Sequence, residues 1–61
     1  MKEKLFEHVQ ALEDMLMEIS RLAQAFEPQN EVQKFLKEVQ IERTQQALVE
    51  LSMLRNLIKE V

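Results

Sequence analysis

One histidine, two serines and a knot of carboxylates are the residues of this chain with any prospect of chemistry. His8 is the only histidine. A helical metal site needs a second ligand three or four residues away, as in Glu-x-x-His or His-x-x-x-His. At those distances His8 has Lys4 and Leu5 before it and Ala11 and Leu12 after it. No metal and no cofactor are therefore expected, and His8 reads as a partly covered residue at the edge of a helix bundle.

Glu13, Asp14 and Glu18 form an acidic cluster. Paired carboxylates act as general acid and base only in a cleft that drives their pKa values apart. On a helix these three project from the outer positions e, f and c, so they read as a solvated face. Ser20 and Ser52 have no nearby histidine to activate them. The chain has no glycine, hence no phosphate-cradling loop of the usual kind. No catalytic residues are expected, and the chain reads as a non-enzyme.

Composition points the same way. The 61 residues carry a formal net charge of −3, which gives no electrostatic reason to seek nucleic acid. The basic residues of the second half, Lys34, Lys37, Arg43, Arg55 and Lys59, are matched by as many carboxylates there. The three phenylalanines do not interleave with a basic stripe. Absence of cysteine excludes disulfides and thiolate metal sites. The opening MKEKLFEH lacks the apolar stretch of a signal peptide. The longest apolar runs, such as Met15-Leu16-Met17, fall far short of a membrane span. The expectation is a cytoplasmic protein with no membrane and no nucleic-acid partner.

With chemistry set aside, shape becomes the question. No glycine and one proline, among many Leu, Glu, Gln, Lys and Ala, leave helix as the main possibility. Leu5, Val9, Leu12, Leu16, Ile19, Ala23 and Phe26 recur in steps of four and three. That is a heptad seam with Val9, Leu16 and Ala23 at a, and Leu5, Leu12, Ile19 and Phe26 at d. Pro28 cannot donate a helical hydrogen bond and biases its predecessor away from helix. Asn30 is a good N-cap, and Gln33 stands three residues later as in a capping box. Pro28 at the first helical position is the rival start. Either way the chain breaks between Glu27 and Asn30. The sequence predicts an all-α antiparallel hairpin, one domain over 1–61, with helices at about 2–27 and 31–60.

The second helix opens its seam on Val32, Phe35, Leu36 and Val39 and closes it on Ala47, Leu51, Leu54, Ile58 and Val61. Between them lies a polar waist. The seam passes through Arg43 only with a stutter, and Thr44 or Gln46 are equally possible seam residues. Folding about residue 29 would set Phe26 against Val32, Ala23 against Phe35 and Ile19 against Val39. It would leave Arg43 and Gln46 either snorkelling or forming a buried polar layer.

Two helices have a seam but no interior, and surplus apolar residues stand off it. They are Phe6, Met15, Met17 and Leu22 on the first helix, and Leu48, Val49, Met53 and Leu57 on the second. Such residues want another protein surface. Met17, Val49 and Met53 are the candidate docking patch. A two-fold pair of hairpins, making a four-helix bundle, is one source of cover. A dedicated heterologous protein is the other. In length, glutamine content and helix–turn–helix pattern the chain resembles the small helical-hairpin co-chaperones of bacterial type III secretion. It is similar in the same way to short hairpin proteins of spore-forming bacteria. The first resemblance implies an adaptor that pairs with a larger helical-repeat chaperone. No site residue is carried over from it.

Overall fold

A computed structural model describes residues 1–60 and shows two helices packed against each other as an antiparallel hairpin, with no strand among them. Helix α1 spans Lys2–Ala25 and α2 spans Glu31–Glu60. The hairpin is a slab of 47 × 14 × 11 Å. The expected last seam residue, Val61, lies outside the described residues.

The break falls where the proline places it. Helix α1 stops at Ala25, two residues short of expectation, because Phe26 is already extended at φ −67° and ψ 130°. Its N–H still reaches the carbonyls of Leu22 (3.1 Å) and Ala23 (3.3 Å). Asn30 then starts α2. Its Oδ1 accepts from the Gln33 N–H at 2.8 Å, and its carbonyl accepts the first helical bond from Lys34 at 3.0 Å. The Gln33 side chain reaches back one residue beyond the usual capping box, and its Oε1 accepts from the Gln29 N–H at 2.8 Å. One side-chain pair therefore satisfies two amides of the turn.

Helix α2 is six residues the longer, about 9 Å at 1.5 Å per residue. Its first turn runs past the end of α1. Lys37 reaches the α1 terminus with its side chain. Its Nζ donates to the carbonyls of Gln24 (3.0 Å) and Phe26 (2.7 Å). Helix α1 has no basic residue in its own last turn, so a cation from α2 covers its negative end. This overhang changes the expected pairing. Val32 and Phe35, expected to meet Phe26 and Ala23, stay 68% and 63% exposed.

The contact between the helices also runs on a different line from the a/d seam. On α1 the covered residues are Phe6, Val9, Glu13, Leu16, Ser20 and Ala23, which occupy a and e. On α2 they are Lys37, Ile41, Thr44, Leu48, Leu51, Arg55 and Ile58. The a residues Val9, Leu16 and Ala23 are shared with the expected seam. The d residues Leu5, Leu12, Ile19 and Phe26 lie outside it, each about half exposed. A wide apolar stripe has two flanks, and the antiparallel neighbour occupies only one of them. Of the α2 residues expected in the seam, Leu51 and Ile58 lie in it. Val39 and Ala47 are half-buried at its margin, and Val32, Phe35, Leu36 and Leu54 are exposed.

The seam is mixed in character. Glu13, Ser20 and Thr44 are buried in it. Thr44 Oγ1 donates to the Gln40 carbonyl at 2.7 Å, and Gln24 donates to Ser20 Oγ at 3.3 Å. Arg55 Nη1 lies 3.4 Å from Glu13 Oε1. Glu13 therefore leaves the outer acidic face expected for it, because position e faces α2. Arg43 and Gln46 are both exposed, and Thr44 takes the place at the waist.

Candidate interaction face

The d and g positions of α1 carry Leu5, His8, Leu12, Met15, Ile19, Leu22 and Phe26, again in steps of three and four. This second stripe lies about a quarter turn from the seam, at 100° per residue. The hairpin leaves it open. Leu5, Leu12, Met15, Ile19, Leu22 and Phe26 each keep between 46% and 60% of their surface exposed. His8 is exposed between Leu5 and Leu12 and is the stripe's one polar member.

Helix α2 contributes to the same face. Ile19, Leu22 and Phe26 share one groove of about 470 Å³ with Leu36, Lys37 and Gln40. From Leu36 the α2 line continues by helical spacing through Val39, Arg43, Ala47, Glu50, Leu54 and Leu57. Leu36, Leu54 and Leu57 are 52%, 41% and 60% exposed. Arg43 and Glu50 interrupt this line, both exposed. Neither makes an ion pair among the described residues.

The other flank of the hairpin is polar. A groove there is lined by Gln10, Glu13, Asp14, Met17 and Arg55. Glu18 and Arg21 pair on the exposed surface of α1. The hydrogen bond and charge of Arg21 hold the Glu18 carboxyl below the ordinary glutamate value and raise the Arg21 guanidinium. At the open end, Lys59 Nζ lies 5.8 Å from the centre of the Phe6 ring.

The residues expected to form a partner surface are therefore dispersed. Met15, Leu22 and Leu57 stand on the open apolar face. Phe6 and Leu48 are half-buried within the hairpin. Met17, exposed at 52%, borders the polar groove, while Val49 and Met53 are exposed at 59% and 62%. They are not part of the apolar stripe, so the structure does not join Met17, Val49 and Met53 to it. The face is made instead by the d residues that sequence reasoning had placed inside. The signal that separates the two flanks is the polar pair Glu13 and Arg55, which marks the flank where charges can meet.

Among the described residues no three His, Cys, Asp or Glu side chains gather as a metal site would require. No described helix is long and apolar enough to cross a membrane. No family model, no curated protein and no solved structure matches the chain.

Proposed function

We propose that this protein is a non-enzymatic interaction module, a helical hairpin that self-associates through its open apolar face and presents the rest of its surface to a protein partner. The observation that supports this is the uncovered d/g stripe of α1. It is more apolar than the seam that α1 makes with α2: its one polar residue is His8, whereas the seam contains Glu13, Ser20, Thr44 and Arg55. With Val32, Leu36, Leu54 and Leu57 the open surface amounts to roughly 1,000 Å², against ~800 Å² contributed by each partner of a stable complex. A lone protein rarely leaves this much apolar surface on one face in water. The charged, cysteine-free composition supports assignment to the cytoplasm.

Sedimentation equilibrium tests the reading. The wild-type chain is expected to sediment as a helical dimer. Ile19→Glu and Leu12→Glu, which set a carboxylate in the middle of the stripe, are expected to give monomers. A wild-type chain that stays monomeric and well folded in concentrated solution overturns self-association. A second reading keeps the face and changes its occupant. The groove between Ile19, Leu22, Phe26 and Leu36 suits apolar side chains from a helix of a different protein, as in an adaptor or co-chaperone subunit of a hetero-complex. A poorly helical monomer that folds only on adding another protein favours that reading.

A further inference from the structure

The two charges that interrupt the open face specify how a second copy sits on it. Arg43 and Glu50 are seven residues apart on α2, two turns along one side. At that separation they are too far apart to pair within their own helix. Two ways exist to lay one hairpin face to face on another about a two-fold axis. In one, each helix lies on its own counterpart, α1 on α1 and α2 on α2, both antiparallel. In the other, α1 lies on the second copy's α2.

We propose the first arrangement, with Arg43 of each copy paired to Glu50 of the other. This rests on the self-association reading and adds its geometry. The antiparallel register that sets Arg43 opposite the second copy's Glu50 also sets Leu36 opposite Leu57 and Val39 opposite Leu54. Every large apolar residue of the line meets another, and both charges of each helix find their opposites. Ala47, the smallest residue of the line, falls at the axis, where two helices cross closest. The two helices must share that axis. Phe6 lies against Lys59 and Glu13 against Arg55, so the α1 residue level with Ala47 is close to Ile19. Helix α1 then closes its stripe on itself about Ile19, with Leu12 near the second copy's Phe26 and Met15 near its Leu22.

The second arrangement fails on charge. It lays Arg43 and Glu50 on the Met15–Leu22 region of the second copy's α1. That stripe offers no charge to meet them, and an unpaired charge pressed into apolar surface is strongly unfavourable.

Single-cysteine variants read the topology directly, since the chain has no cysteine of its own. Purified Ala47→Cys is expected to form a disulfide-linked dimer on mild oxidation, whereas Gln45→Cys, on the outer side of α2, is not. Charge variants give an independent reading. Arg43→Glu or Glu50→Arg alone opposes like charges twice per dimer and is expected to weaken association about tenfold. The double exchange R43E/E50R restores it to within about threefold of wild type. If Ala47→Cys fails to link to itself but links to Ile19→Cys in a mixture, α1 lies on α2 and the arrangement is overturned. It is overturned as well if the dimer forms and the charge variants act independently. A wild-type chain that is monomeric under the same conditions removes the self-association reading itself, a different failure from either of these.

Discussion

The Glu13 carboxylate and the Arg55 guanidinium meet across the helix seam at 3.4 Å, with Glu13 Oε1 and Arg55 Nε each buried and without a hydrogen bond. They sit among apolar residues, Val9 and Leu16 on one helix and Leu51 and Ile58 on the other. A pair of this kind contributes less than its charge suggests, because each partner gives up hydration. Removing one partner is costly, because the other stays behind uncompensated. Glu13→Ala and Arg55→Ala are each expected to lower stability by about 1–3 kcal/mol. The double variant Glu13→Leu/Arg55→Leu is expected to match or exceed wild type. Urea unfolding of all four proteins at one fixed concentration decides it; equal, additive losses in the singles and the double would show that the two residues do not act together.

The turn depends on Asn30. Its Oδ1 caps the Gln33 amide, and Gln33 in return covers Gln29. Asn30→Ala is expected to cost about 1 kcal/mol, while Asn30→Asp, which keeps the acceptor and adds charge at the helix start, is neutral or stabilising. Thermal melts followed by circular dichroism distinguish them, and an unchanged midpoint for Asn30→Ala would place the start of α2 under other control.

Lys37 joins the two helices at the same end by holding the Gln24 and Phe26 carbonyls. Lys37→Met keeps the stem and removes the donor. The last turn of α1 is expected to fray, with a loss of helical signal and about 0.5–1 kcal/mol of stability. Lys37→Arg restores most of it. Full helicity in Lys37→Met would mean that solvent serves those carbonyls equally well.

Glu18 provides a pH marker. Arg21 holds its carboxyl below the ordinary value. A carboxylate with a lowered folded pKa stabilises the fold above its unfolded pKa, and that contribution fades as the pH falls through the folded one. Both side chains are exposed, so the expected readout is the titration of Glu18, not the melting temperature. Carboxyl titration by NMR should find Glu18 below the ordinary glutamate value and returning to it in Arg21→Ala. A Glu18 titration unmoved by Arg21→Ala would rule the pair out.

The break at Pro28, the cap at Asn30 and the helical character of both arms were legible because each depends on local chemistry. The seam was legible only in part. Val9, Leu16 and Ala23 sit at the centre of the α1 apolar arc, and any neighbour on either flank touches them. Periodicity locates that centre and does not say which flank the second helix takes. The a/d reading assigned α2 the more apolar flank. In the structure α2 takes the flank holding Glu13 and Ser20, where Arg55 and Thr44 can meet polar groups. That choice depends on two helices at once and cannot be read from one helix's repeat. The overhang that strands Val32 and Phe35 has the same origin. It is set by how the five residues from Phe26 to Asn30 cross between the helices, and no periodicity records that.

Val9 and Ile58 are the only apolar residues buried in the described hairpin, and no side chain is fully enclosed. Nothing inside a solitary copy can then shelter its amide protons beyond what a helix gives itself, and deuterium should replace them quickly. Slowly exchanging amides in the purified protein would accordingly report a covering molecule before that molecule is known. The residues around which protection gathers would trace its footprint.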